Sequence, residues 1–82
     1  MRVKNYIAIS DNGFIFDSST GSSYNLNAIG LEIIQMIELG KTEEEIIKSI
    51  TEKYDVEQDI FEKDFYDFLS MLKYYNLIDE ID

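Results

Sequence analysis

The ten residues Gly21-Ser22-Ser23-Tyr24-Asn25-Leu26-Asn27-Ala28-Ile29-Gly30 force a change of secondary structure within a few positions. Tyr24 and Leu26 alternate with Ser23 and Asn25 at period two, the pattern of a half-buried strand. Asn27 follows where a helix N-cap belongs, with a short side chain able to accept from the first unpaired backbone N–H groups. The chain therefore passes from strand to helix with no linker. Just upstream, Phe14-Ile15-Phe16 reads as a second strand and Asp17-Ser18-Ser19-Thr20-Gly21 as a turn, with Gly21 able to take positive φ.

The remaining segments extend this pattern in both directions. Tyr6-Ile7-Ala8-Ile9 is a short strand, and Asn12-Gly13 before Phe14 predicts a tight hairpin turn with positive φ at both positions. Ser22 to Leu26 is the third strand of an antiparallel meander, which is marginal alone and needs helices over one face. A first helix is predicted over Ala28–Leu39, burying Ile29, Ile33, Ile34 and Ile37 and ending at Gly40. Thr42 and Glu45 form a capping box that opens a second helix running to Tyr54, with Ile46, Ile47, Ile50 and Tyr54 inward. A third helix runs from Gln58 to Tyr75, its main stripe being Phe61, Phe65, Phe68, Leu69 and Leu72. Asn76 ends it in the left-handed region, and Leu77 and Ile78 fold back onto the core. The expected fold is a single α+β domain over residues 1–82, winged-helix-like, with a three-stranded antiparallel sheet followed by three helices.

Composition excludes several functions. Hydrophobic residues make up 45% of the 82, enough for a packed core rather than a disordered chain. With no Cys and no His, the chain lacks thiolate nucleophiles, imidazole bases and the usual transition-metal ligands. No signal peptide or membrane span is visible, and a cytoplasmic location is expected. The net charge of −10 opposes a phosphate backbone, so nucleic acid is not expected as a partner. Solubility is the ordinary reading of such an acid excess, and a basic partner is the sharper one. Asp64 and Asp67 lie one helical turn apart, but paired carboxylates on a helix are usually a solvated face, and the serines have no base. Asp55-Val56-Glu57-Gln58-Asp59-Ile60 begins like a calcium loop, yet Ile60 stands at the glycine position and Tyr66 at that of the bidentate Glu. No catalytic residue, metal or cofactor is expected.

What the pattern leaves is a surface for binding. The third strand is expected to leave an open sheet edge, which can accept an added strand. Beyond its main stripe, the third helix has Ile60, Met71, Tyr74 and Tyr75 on one flank and Tyr66 on the other. Completion of the core or a homodimer contact is the alternative use of these residues.

The same segments resemble the pyrroloquinoline quinone biosynthesis D (PqqD) family, which includes the RiPP recognition elements. The likeness lies in Asp17-Ser18-Ser19-Thr20-Gly21 (D-x-x-T-G) and Tyr24-Asn25-Leu26-Asn27 (Y-x-L-N). It continues through Thr42 with Glu44 and Glu45, Tyr54 with Val56, Asp64-Phe65 with Phe68-Leu69 and Leu72, and Leu77-Ile78. The chain departs from the family at Ser22 and Ser23, where bulkier or basic residues often stand, and at Asn76, often Gly. The resemblance implies a non-catalytic domain that holds the leader segment of a ribosomally made precursor peptide for a maturation enzyme acting in trans, of radical-enzyme, lasso-peptide or lanthipeptide type. It implies that the leader adds as a strand along Ser22, Ser23, Tyr24, Asn25 and Leu26. Against it would lie Ile60, Lys63, Asp64, Asp67, Met71 and Tyr74 of the third helix. Leu26 and Asn27 also read as core anchor and helix cap. Lys63 and Lys73 are secondary candidates, because basic groups there can meet an acidic leader residue in related domains. The rival readings are a winged-helix DNA binder, a homodimeric adaptor using the same open edge, and an accessory protein of a system without a modified peptide.

Overall fold

The computed structural model describes residues 1–80. Its elements run β1 (Arg2–Val3), β2 (Ile7–Ile9), β3 (Phe14–Asp17), β4 (Ser23–Asn25), α1 (Ala28–Glu38), α2 (Glu43–Tyr54), α3 (Gln58–Tyr74) and β5 (Ile78–Asp79). The expected α+β architecture is present: an antiparallel sheet of order β2-β3-β4, followed by three helices.

The helix boundaries follow from their caps. Asn27 accepts from the Gly30 N–H at 2.8 Å and opens α1. Gly40 and Lys41 N–H groups return to the carbonyls of Ile37 and Met36, closing it with the paired bonds of a Schellman motif. Thr42 and Glu45 form the reciprocal capping box at the start of α2. At the end of α3, Asn76 takes φ 59, and its N–H and that of Leu77 return to Lys73 and Leu72. This second Schellman turn directs Leu77 and Ile78 into the core, where both are buried.

The core is a layer of isoleucines closed by α3. Ile15 of β3, Ile33, Ile34 and Ile37 of α1, and Ile46, Ile47 and Ile50 of α2 pack with Phe61, Phe65, Leu69 and Leu72. Three residues expected inside are placed differently, the first being Ile29, which sits in the first turn of α1 and is only partly buried. Phe68 is only partly buried, and Tyr54 is 38% exposed. Tyr54 closes α2, where its hydroxyl donates to the Glu32 carboxylate instead of entering the apolar layer.

Two features depart from the sequence expectations. Arg2–Val3 pairs antiparallel with Ile78–Asp79, joining the two ends of the chain in a second, two-stranded ladder. Lys4 reinforces it, with a backbone bond to the Leu77 carbonyl and an ion pair to Asp79 at 3.3 Å. A two-residue strand is too short to show a period, so no pattern announced it. The hairpin also differs. Its loop is three residues, Asp11-Asn12-Gly13, between Ser10 and Phe14, and only Gly13 is left-handed, at φ 90. The Gly13 N–H bonds to the Ser10 carbonyl, which leaves Asn12 outside the left-handed region, where its side chain accepts from the Ser10 hydroxyl. Asn-Gly still makes the turn, through a bulged rather than a two-residue loop.

Gly13 is needed twice over. Besides its φ, a Cβ there would lie 2.6 Å from the Leu26 carbonyl oxygen. Gly21 has φ 79 but open space around it. Gly13→Ala therefore costs roughly 1–3 kcal/mol and more than Gly21→Ala, where only the conformational cost of about 1–2 kcal/mol applies. Equal shifts in urea midpoint at constant slope would exclude the close approach as a cause.

Asp17 is the buried acid of the turn before β4. The Ser19 hydroxyl donates to its carboxylate at 2.6 Å and the Ser19 N–H at 2.8 Å. These donors, the hydroxyl foremost, hold its pKa below the ordinary carboxylate value despite desolvation. The stabilisation is full above the unfolded value near pH 4 and disappears as pH falls through the lower folded value. Asp17→Asn is therefore expected to cost most above about pH 5, with the gap to wild type narrowing towards pH 2. Urea denaturation across that range checks this; a gap independent of pH would contradict it.

Candidate functional site

The third strand of the sheet lies at its edge. β4 pairs with β3 on one side in the register Phe14↔Asn25, Ile15↔Tyr24 and Phe16↔Ser23, and has no strand on its other side among the described residues. Leu26 N–H bonds to the Gly13 carbonyl at 2.8 Å, and Asp17 N–H to the Ser22 carbonyl at 2.9 Å. Backbone direction alternates along an antiparallel strand, so positions 22, 24 and 26 spend their polar groups on β3. The N–H and C=O groups of Ser23 and Asn25 consequently face outward. Both positions have the same parity and both present a donor to the open edge.

The side chains alternate in the opposite sense. Tyr24 is opposite the buried Ile15 and lies on the helix side of the sheet. Its ring meets Tyr75 at 5.2 Å between centroids, and Tyr75 meets Tyr74 edge-on at 5.1 Å. This aromatic row ties β4 to the C-terminal end of α3. Tyr74 itself remains 80% exposed.

Between the end of β4 and α3 lies an open groove of about 560 Å³. Asn25, Leu26 and Asn27 line its sheet side, and Ile60, Asp64, Phe68 and Met71 its helix side. Buried Gly30, Ile33, Phe61 and Phe65 form the bottom, and Tyr54 and Val56 stand at the α2–α3 connection. Gly30 contributes by lacking a side chain. A Cβ on it would sit 3.3 Å from the Phe68 ring, so glycine lets that ring lie against α1. Tyr54 is held by its bond to Glu32, which also pairs with Lys53. The Lys53 ammonium and then the Tyr54 hydroxyl keep the Glu32 carboxyl below its usual range, while Glu32 pushes the Tyr54 phenol up.

Of the residues singled out from sequence, Asn25, Leu26, Ile60, Asp64 and Met71 meet in this groove. Ser22, Ser23 and Tyr24 continue along the strand outside it, and Tyr74 lies beyond it at the aromatic row. Lys63 and Asp67 are exposed on α3 without lining the groove. Lys73 is taken up in an ion pair with Glu80. Sequence reasoning missed Ile29, Gly30, Tyr54, Val56 and Phe68 as lining residues and read Asn27 only as a cap. The signal for Phe68 was present in its place at the edge of the α3 stripe, where a ring is half in and half out.

The site has the character of a binding surface. Its lining is mainly apolar with a few fixed polar groups. Among the described residues, no three His, Cys, Asp or Glu side chains cluster to hold a metal ion, and no helix is long and apolar enough to cross a membrane.

The fold is shared with known proteins. The structure is similar to that of "TbiB1 in Complex with the TbiA(beta) Leader Peptide", with TM-score 0.88 and 29% identity over 100% of this chain and 99% of that one. It also shares its fold with "Lasso peptide synthetase B1 complexed with the leader peptide", at TM-score 0.83 and 24% identity over 93% of each chain. No curated protein matches the chain. The family described as Coenzyme PQQ synthesis protein D (PqqD) matches residues 12–78, spanning the hairpin, β4, the groove and all three helices, and the chain belongs to that family.

Proposed function

We propose that this protein binds the leader segment of a ribosomally made precursor peptide as an added strand on β4 and presents it to a modification enzyme acting in trans. The observation that carries this reading is one juxtaposition. Outward N–H and C=O groups at Ser23 and Asn25 stand beside an apolar groove bounded by Ile60, Phe68 and Met71. Backbone pairing supplies affinity with little demand on sequence, and pockets for alternate side chains supply specificity. The two similar structures, both described as leader-peptide complexes, support the same ligand class. The domain acts without catalysing chemistry itself, and the cytoplasm, where precursor and enzyme are made, is its place of action. Its contribution is effective concentration: the core peptide meets the catalyst more often because the leader is held.

Charge disfavours the DNA-binding reading. Of seven basic residues, four (Arg2, Lys4, Lys53 and Lys73) form ion pairs. Lys48 lies among Glu43, Glu44, Glu52 and Glu62 in the cleft between α2 and α3. Among the described residues, the basic side chains left over form no contiguous face to neutralise phosphates.

Proline scanning tests the reading, with a synthetic leader peptide of a candidate precursor as probe. Ser23→Pro and Asn25→Pro each remove an outward donor and are expected to weaken binding about tenfold or more, whereas Ser23→Ala does little. Met71→Asp weakens binding comparably by placing a charge on the apolar wall, with the denaturation midpoint little changed because Met71 is already 37% exposed. Calorimetric affinities unchanged in both proline variants would contradict strand addition. A light-scattering mass of two chains that falls to one on adding the peptide would show that a second copy competes for the same edge.

A further inference from the structure

The helix side of the groove is not uniformly apolar. Ile60, Asp64 and Met71 line it, with Asp64 between the two apolar residues, and Asp67 and Tyr74 continue the same helix row outside the groove. Among the described residues, Asp64 is the only charged side chain that lines the groove. Neither acid has an ion-pair partner among the described residues, although four other pairs form elsewhere. Lys63 is adjacent to Asp64 and does not share its face; it stands four residues before Asp67, on that residue's face, but forms no ion pair with it. Lys73, the other cation of this helix, is held by Glu80. Among the described residues, then, no cation occupies the Asp64 carboxylate at the groove.

We propose that the groove selects a leader carrying a Lys or Arg next to its apolar anchor, with Asp64 as the principal acceptor and Asp67 as a second one a turn further on. This rests on the strand-addition reading and adds to it the charge of the ligand. The sense is opposite to an acidic leader meeting basic helix residues. An aliphatic or aromatic side chain enters beside Phe68 and Met71. Its neighbour on the added strand reaches the groove rim, where a carboxylate accepts a charge-assisted hydrogen bond. A partly apolar wall screens that bond less than open water does, and the net charge of −10 favours the encounter.

The test is selection of a displayed library of random twelve-residue peptides on the full chain, in parallel with the double variant Asp64→Asn, Asp67→Asn. Amide spectra establish that both proteins are folded. Peptides recovered on the natural chain are expected to share an apolar anchor with Lys or Arg enriched within three positions of it. Those recovered on the double variant keep the anchor and lose the cation. A synthetic copy of the best peptide with that Lys changed to Gln then binds the natural chain roughly three- to tenfold more weakly and the double variant equally well. Added salt weakens the Lys peptide more than the Gln peptide. Anchors recovered without a cation, or a cation equally enriched on the double variant, would overturn the charge selection and leave strand addition standing. Peptides whose binding is indifferent to Asn25→Pro would overturn both.

Discussion

The close approach of Gly13 to Leu26 holds the rest of the site in place. The Leu26 N–H bonds to the Gly13 carbonyl at 2.8 Å, and the Leu26 carbonyl passes where any Cβ on residue 13 would lie. This contact pins the end of β4 to the hairpin loop and sets the parity of the strand. With Leu26 turned to β3, Asn25 and Ser23 must turn outward, and Asn27 falls at the start of α1. Its carboxamide then caps Gly30, whose missing side chain admits the Phe68 ring. One backbone contact thus orders the open edge, the helix entrance and the groove bottom. A one-residue slip in β4 would reverse every one of these directions.

The chemistry left at the surface is that of a binding site. The strongest polar arrangements in the chain are structural. Asp17 gathers the donors of its own turn, Glu32 ties Lys53 to Tyr54, and Asp79 joins Lys4 and Arg2 across the terminal ladder. The first fixes a turn, and the other two each hold two elements together. The groove, by contrast, offers apolar wall, backbone donors and one free carboxylate. Such a surface suits the extended chain proposed as its ligand.

Much of the fold was legible because caps are local. Asn27, Thr42 with Glu45, Gly40 and Asn76 each declare a helix boundary through a few neighbouring residues, and all four act where the pattern places them. The outward parity at 23 and 25 needs the register with β3, which no single segment contains. The terminal ladder was hidden because two-residue strands have no period and their partners lie at opposite ends of the chain. The hairpin was identified by Asn12-Gly13, but its loop length depends on Gly13 also serving Leu26. Tyr54 and Phe68 were placed inward by helical spacing alone. Spacing marks a face and cannot say how far that face is covered; both residues stand where the cover ends, at the groove.

The central claim is that a leader peptide completes the sheet at β4. Amide hydrogen exchange with and without that peptide tests it most directly, because it reports the backbone groups in question. The account predicts that Ser23 and Asn25 N–H groups, exchanging freely in the unbound chain, become strongly protected on binding, while Tyr24, already bonded to β3, changes little. Protection confined to α2 and the Asp11–Gly13 loop, with Ser23 and Asn25 exchanging as before, would contradict it.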